Sequence, residues 1–333
     1  MLKRICVLGG TGFVGTHLVN RLNDEELSIV VPTRSRARAR TLWMVPRAEV
    51  VERDIHDPAT LESLFQDADA VINLVGILNE SGDDGEGFRH VHLELARKVI
   101  DACRAAGVPR LLHMSALNAH PEDAPSHYLR TKGLAEERVL GADSPELRVA
   151  VFRPSVIFGP GDGMFVKFHQ LLGLAPGVMA LPCAGARFAP VYVDDVIEVM
   201  LKALKDPTLR AGRYELCGPD EMTLEDIVRY LLRITGRRRL IVPLGPGPSK
   251  LMAGLLEFVP GKPMSRDNYR SATVDSVCGA GSDGSDRATQ TLTDLGITPH
   301  RVEDIVPGYI LPTRRHRAFS DMRVRAGRGS GRA

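Results

Sequence analysis

The chain has 333 residues, 44% of them apolar, and its 43 basic and 41 acidic side chains leave a net charge of +2. That length and apolar share exclude a disordered chain and leave room for one large domain plus a smaller lobe, while the balanced charge gives no reason to expect a specific nucleic-acid partner. The five cysteines (6, 103, 183, 217 and 278) lie far apart without a CxxC pair or a nearby histidine cluster, which argues against a metal site and a disulfide framework and predicts buried, inert thiols in a reducing compartment.

Residues 5–8 are a short apolar run that reads as a buried parallel strand, and glycines follow at 9, 12 and 15. An amphipathic helix carrying Val14, Leu18, Val19 and Leu22 comes next. In such a strand–turn–helix, Gly9 lets the chain reverse and Gly12 lets the backbone approach a pyrophosphate. Gly15 lets the helix pack close to the strand, and the helix N-terminus offers N–H groups to phosphate oxygens. Thr11, Phe13 and Val14 complete the turn expected to touch a dinucleotide. Because the chain enters a core strand at once, no signal peptide is expected, and no apolar run reaches the length of a membrane span.

A second strand is predicted at 27–31. After it, a site for NAD(H) usually places an acid against the ribose 2′-OH, whereas a 2′-phosphate needs cations. The chain reads Thr33-Arg34-Ser35-Arg36-Ala37-Arg38-Ala39-Arg40, so Arg34 and Arg36 are predicted to meet a 2′-phosphate and NADP(H) is favoured over NAD(H). Arg38 and Arg40 read as a solvated helix start. A third strand at 50–55 ends in Asp54-Ile55. Asp57 should cap a helix with Pro58 in its first turn and Leu61, Leu64 and Phe65 facing inward. The strand at 70–76 leaves through Asn73, Val75 and Gly76 on the ribose side of the cofactor. A polar loop at 82–87 precedes a helix at 88–106 with an apolar face of Val91, Leu95, Val99 and Ala102.

After a strand at 110–115, Tyr128 and Lys132 stand at i and i+4, one above the other on a helix face. An ammonium beside a phenol lowers the phenol pKa, and the same lysine can hold the nicotinamide ribose. The strand at 148–152 runs into Arg153-Pro154-Ser155-Val156-Ile157-Phe158-Gly159-Pro160-Gly161-Asp162. Asp194 and Asp195 read as an N-cap and first-turn acid rather than as catalysts. Thr223 should cap a helix at 224–235. The apolar stretch at 251–259, inside a Pro/Gly-rich region, is expected to form the core or lip of the smaller lobe; a hydrophobic partner or membrane surface is the alternative. Residues 276–288, rich in Gly, Ser and Asp, predict a mobile loop. Segments 292–297 and 302–310 close the lobe. The last twenty residues hold seven arginines and one aspartate, a basic tail predicted to be disordered, which leaves a body of about −4.

Gly-Gly-Thr-Gly-Phe-Val-Gly at 9–15, Tyr128-x-x-x-Lys132 and the Arg153–Asp162 stretch resemble the extended and atypical short-chain dehydrogenase/reductases, the epimerase/dehydratase-like branch. The likeness spans roughly residues 1–310. His113-Met114-Ser115-Ala116-Leu117-Asn118-Ala119 and Phe188-Ala189-Pro190-Val191-Tyr192 resemble most the family of the NAD(P)H-binding accessory subunit of respiratory complex I and its bacterial relatives. The resemblance implies an α/β fold: a Rossmann-type doubly wound parallel sheet with a smaller C-terminal α/β lobe. Residues 1–160 would bind the nucleotide, with about 185–217 returning to them. Residues 161–312 would form mainly the substrate or partner lobe, and 313–333 the tail. Asp54 and Ile55 would meet the adenine, and Arg153, Pro154, Ser155 and Val156 would pass the nicotinamide. Tyr128, Lys132 and Ser115 would be the catalytic set.

Two departures stand out, and one is Ser115, which sits a residue or two early for the Ser or Thr that active members carry beside the substrate carbonyl. Active members carry an Asn that holds a proton-relay water, and here the matching position is His92. The resemblance therefore implies tight NADP(H) binding with weak or no turnover, tied to respiratory or quinone metabolism. The alternatives are an active reductase, epimerase or dehydratase using Tyr128 and Lys132, and an NADPH redox sensor acting through a protein partner. Expected partners are a small-molecule or quinone-like substrate and a respiratory complex or membrane surface. The expected location is the cytoplasm, with a peripheral position at the inner membrane face as the variant.

Overall fold

The computed structural model describes residues 2–174, 177–206, 209, 212–259, 262–279 and 289–311; the basic tail lies outside the described residues. Ile5, Cys6, Val7 and Leu8 have no solvent exposure, as expected for an interior strand of a parallel sheet covered by helices on both faces. They belong to β1 (Arg4–Leu8), which is followed by α1 (Phe13–Asp24), β2 (Ser28–Thr33), β3 (Ala48–Glu52), α2 (Pro58–Phe65) and β4 (Ala70–Asn73). A helical stretch then runs through α3 (Glu86–Phe88), a π-helical segment at Arg89–Glu94 and α4 (Leu95–Ala105). Next come β5 (Arg110–Met114), α5 (His127–Leu140), β6 (Arg148–Pro154), β7 (Ile157–Phe158), α6 (Phe165–Leu174) and β8 (Val178–Leu181). The chain continues through β9 (Arg187–Phe188), β10 (Val191–Tyr192), α7 (Val193–Lys205), β11 (Arg213–Leu216), β12 (Met222–Thr223) and α8 (Leu224–Thr235). It ends with β13 (Leu240–Pro243), α9 (Pro246–Leu256), α10 (Arg266–Ser271), β14 (Thr289–Thr291) and α11 (Val302–Ile310).

Eight strands form one sheet in the order β14-β11-β6-β5-β4-β1-β2-β3, and every pairing in it is parallel. From β1 the chain builds outward through β2 and β3, then returns to β1's other side with β4 and builds the opposite way. That reversal leaves a crevice at the carboxyl ends of β1 and β4, where open α/β sheets bind ligands. One face buries Leu18, Val19 and Leu22 of α1 with Val196, Val199 and Met200 of α7. The other buries Leu61 and Phe65 of α2 with Val99 of α4 and Val139 of α5. A further apolar cluster joins Phe165, Leu181, Ile227, Leu231, Ile241 and Val306. This is the doubly wound α/β architecture that the sequence predicts.

Local rules explain several boundaries. The Asp57 side chain accepts from the Thr60 amide at 3.0 Å and Pro58 opens α2. Thr223 and Asp226 form a reciprocal capping box on α8. Tyr192, not Asp194, occupies the N-cap position of α7, so both acids sit in its first turn. Asp195 accepts from the His300 amide at 2.8 Å and pairs with the His300 ring at 2.6 Å, tying α7 to the segment before α11.

Three expectations need correction. Cys217 and Cys278 form a disulfide across 61 residues, a separation that no local spacing rule detects. Cys6 and Cys103 are buried thiols as expected, and burial pushes the Cys6 thiol up to about 12. Of the predicted mobile loop, 280–288 lies outside the described residues, but 276–279 is held: the Ser276 carbonyl accepts from the Ala189 amide at 3.0 Å and from Ser155 Oγ at 2.6 Å. In the stretch 251–259, Leu251, Leu255 and Phe258 are 68%, 64% and 83% exposed. These three side chains are not core, whereas Ala253 of the same stretch is buried.

Candidate functional site

Gly9, at φ +78°, is where the chain leaves β1, and a Cβ there would lie 3.1 Å from the Leu74 carbonyl carbon. A Cβ on Gly15 would lie 2.3 Å from the Gly9 carbonyl oxygen, closer than real Cβ atoms come. Gly12 is the N-cap of α1, without a side-chain cap and with no acid in the first turn. The first amides of α1 are thus left to an anion, and the helix dipole favours one there. The cradle therefore fits a pyrophosphate by an observation of backbone and space alone. Thr11, Phe13 and Val14 are partly buried around it.

At the next strand end, Thr33 closes β2 and caps the turn, with its Oγ1 accepting from the Ser35 amide. Arg34 and Arg36 are exposed, and Arg36 Nη2 donates to the Val50 carbonyl at 3.3 Å. The Arg36 amide donates to Glu52 Oε2 at 3.2 Å. Glu52 belongs to the neighbouring strand, 16 residues on, so the sequence around the arginines shows no acid. Asp54 is exposed and accepts from the His56 amide at 2.9 Å, and Ile55 is partly buried beside it.

Tyr128 and Lys132 share a face of α5, whose N-cap Ser126 accepts from the Leu129 amide. Lys132 is buried, and its Nζ donates to the Met114 carbonyl at 2.9 Å and the Val75 carbonyl at 3.4 Å. A Cβ on Gly76 would come within 3.2 Å of this nitrogen, so Val75, Gly76 and Lys132 converge at the carboxyl ends of β4 and β5. Burial lowers the Lys132 ammonium to about 8 and pushes the Tyr128 phenol up to about 12. The expected lowering of the phenol by the lysine is not seen; desolvation governs both groups. Among the described residues the Tyr128 hydroxyl makes no hydrogen bond.

His92 stands beside this pair, its ring centroid 5.5 Å from that of Tyr128. The Ile77 amide donates to His92 Nε2 at 3.1 Å, so the ring proton is on Nδ1, which donates to Thr131 Oγ1 at 2.9 Å. Thr131 in turn donates to the His127 carbonyl at 2.8 Å. Burial, then Lys132, then His113 hold the ring well below its ordinary pKa. His92 is a neutral imidazole with both nitrogens spent inside the protein.

Several groups expected at the cofactor also make bonds within the protein. Ser115 Oγ donates to Glu136 Oε2 at 2.7 Å, so its proton is directed to a carboxylate. Arg153 makes three bonds of 2.7–3.0 Å to Glu136 and one to the Ala119 carbonyl at 3.2 Å. Arg213 Nε reaches the same carboxylate at 2.5 Å. Ser155 is bonded to Ser276. The Asn73 amide serves the Val75 amide at 3.1 Å and His113 Nδ1 at 3.3 Å. Pro154 and Val156 lend carbonyls to the Leu117 and Val191 amides. Glu136 was missed by the motif argument, although it continues the i, i+4 series of Tyr128 and Lys132, where a charge on a buried face is itself a signal.

Residues 5–217 match the NAD dependent epimerase/dehydratase family. The chain is 28% identical over 322 residues to NADH dehydrogenase (ubiquinone) 1 alpha subcomplex subunit 9 of Mus musculus, covering 94% of this chain and 80% of that one. It is 30% identical over 252 residues to a ceramide reductase of Caulobacter vibrioides, covering 76% of each. Its fold is similar to that of a UDP-glucuronic acid 4-epimerase from Bacillus cereus solved with UDP-glucuronic acid and NAD. There the TM-score is 0.66 at 20% identity, with 92% of this chain and 98% of that one covered. A family match over most of the chain's length, together with the glycine cradle and the Tyr128/Lys132 pair at the sheet's switch point, gives one conclusion: the chain belongs to the NAD dependent epimerase/dehydratase family.

Proposed function

We propose that this protein binds NADP(H) tightly and turns it over slowly or not at all, in association with a respiratory or quinone-linked membrane complex. The observation that carries the reading is His92, a neutral ring locked between the Ile77 amide and Thr131, which has no nitrogen left to relay a proton from Tyr128. Arg34 and Arg36 support the 2′-phosphate, and the likeness to the mouse complex I subunit supports the partner class. When bound, the nicotinamide supplies or accepts a hydride. Gly9, Gly12 and Gly15 hold the pyrophosphate against α1, and Lys132 holds the ribose.

Nucleotide released on denaturing the purified protein identifies the cofactor. NADP(H) in near-stoichiometric amount is expected. Arg34→Ala should weaken NADP(H) binding by about tenfold to a hundredfold, the worth of a charge-assisted hydrogen bond, and leave NAD(H) unchanged. A variant that binds both nucleotides as the parent does would remove the 2′-phosphate argument.

A second reading is an active reductase, favoured by the 30% identity to the ceramide reductase. In it Tyr128 holds the proton that a carbonyl oxygen takes up. Substrate-dependent oxidation of NADPH that disappears in Tyr128→Phe would establish this reading over the first; equal residual rates in both proteins would reject it. The remaining sensor reading requires a partner whose affinity follows the redox state of the nucleotide.

A further inference from the structure

The C-terminal half carries a helix whose outer face is uncovered among the described residues. In α9, Ser249 and Ala253 are buried while Leu251 and Leu255 are exposed, so the two leucines share the face opposite the one that packs. The chain continues in a turn from the helix end, with the Phe258 amide donating to the Leu255 carbonyl at 3.3 Å, and carries Phe258 at 83% exposure just beyond the helix. Leu240, on the strand before this helix, is 63% exposed. Single exposed leucines are ordinary; an i, i+4 pair extended by an aromatic is a patch.

The charge along this part of the chain is one-sided. From residue 227 to residue 256 the chain has six cations (Arg229, Arg233, Arg237, Arg238, Arg239 and Lys250) and no acid. Arg229 and Arg233 are neutralised by Glu225 and Glu303. Among the described residues the side chains of Arg238 and Lys250 have no ion-pair partner, and both are exposed. The first acid beyond, Glu257, is buried and held by Arg266 at 2.8 Å. No helix among the described residues is long and apolar enough to cross a membrane. A short helix with an apolar outer stripe, carrying the unpaired cation Lys250 and preceded in the chain by another at Arg238, has the chemistry of one that lies in the plane of an anionic bilayer.

We propose that the α9 face docks on an anionic lipid surface, with Leu251, Leu255 and Phe258 entering the headgroup boundary and Arg238 and Lys250 meeting phosphate. The start of this helix is joined through α10 to the element that carries Tyr128 and Lys132. Tyr269 Oη of α10 donates to the Pro246 carbonyl at the start of α9, and Asp267 of α10 accepts from the His127 and Tyr128 amides at 2.8 and 3.1 Å. The inference goes beyond the cofactor reading and does not depend on it, since nucleotide affinity is measured separately on each variant.

The test is sedimentation of the full chain with vesicles of phosphatidylcholine alone or containing about one third phosphatidylglycerol. Binding to the anionic vesicles only, weakened by salt, is expected. Leu251→Gln with Leu255→Gln should reduce it by about tenfold or more, and Arg238→Gln with Lys250→Gln should reduce it and its salt dependence together. Both proteins should keep the parent's nucleotide affinity and melting temperature, which shows that they fold. Failure of the parent to sediment would overturn the proposal. So would binding that survives the leucine pair, which would assign it to the arginine-rich tail. If light scattering shows a parent dimer that the leucine pair converts to monomer, without vesicle binding, the face belongs to a second copy and the proposal falls.

Discussion

Glu136→Ala is expected to destabilise the protein by about 3–5 kcal/mol, the cost of removing one partner from a buried ionic cluster. Glu136 is 1% exposed and its two oxygens take bonds from Arg153, Arg213 and Ser115. Each of those groups lies in a different part of the sheet: Ser115 just after β5, Arg153 in β6, Arg213 in β11. Removing the carboxylate leaves two guanidinium groups in low dielectric without their shared anion, and it unties α5 from three strand ends at once. At about 2–4 °C per kcal/mol for a chain of this size, the melting temperature should fall by roughly 10 °C. Glu136→Gln keeps the volume but turns an N–H group toward a guanidinium, so it should lose most of the same stability. Glu137→Ala, the exposed neighbour on the same helix, should change stability by no more than about 0.5 kcal/mol. Urea unfolding of the three variants is the measurement. A loss of under about 1 kcal/mol in Glu136→Ala would show that the arginines find other partners and that the cluster is not what holds these strand ends together.

That cluster marks the limit of what the sequence discloses. The opening strand, the glycine turn and α1 are legible because their requirements are local: an apolar run, a residue at φ +78°, a helix that must pack within 2.3 Å of a carbonyl if it had a Cβ. The caps at Asp57 and Thr223 are legible for the same reason, since a cap bonds three residues along its own chain. The Tyr128/Lys132 pair is legible through helix period.

What stays hidden depends on residues that meet through the sheet. Glu52 reaches Arg36 from the adjacent strand, Glu136 captures the hydroxyl of Ser115, and Cys217 finds Cys278 from 61 residues away. Arg153 could be placed at the right strand end from its motif. The direction of its side chain could not be read, because that direction is set by a carboxylate on α5. His92 could be aligned with the relay position, whereas its neutral, doubly bonded ring follows from the π-helical segment that sets it against Ile77 and Thr131. In the apolar stretch at 251–259 the exposure of Leu251, Leu255 and Phe258 is not legible for a simpler reason: hydrophobic composition reports a need for cover, not what provides it.

Lys132→Met is expected to abolish nucleotide binding without lowering stability, a separation of effects that a merely structural lysine would not produce. The ammonium is wholly buried and burial lowers it from 10.5 to about 8, so the fold bears a cost for keeping it charged. The sign follows from proton counting. Between about pH 8 and 10.5 the unfolded chain binds a proton at this site that the folded chain has lost, so stability rises with pH across that window. The slope contributed by this one group approaches 1.4 kcal/mol per pH unit at most. Below about pH 8 both states hold the proton and the full cost is present. Methionine fills similar volume with no charge to desolvate, which offsets the bonds lost to the Met114 and Val75 carbonyls. The variant should therefore melt at or above the parent's temperature at pH 7, and its stability should lack the parent's rise between pH 8 and 10.5. Nucleotide affinity in the parent should move oppositely, falling as pH rises through about 8 because only the protonated amine donates to the ribose and faces the anionic cofactor. Denaturant unfolding and nucleotide titration across pH 7 to 10.5 measure both. Identical pH profiles in parent and variant would mean that Lys132 is neither the buried titrating group nor the cofactor's ribose contact. An unfolded variant would mean that its two carbonyl bonds outweigh the charge. Opposed slopes, present in the parent and absent in the variant, would identify Lys132 as a residue retained for binding at the expense of stability.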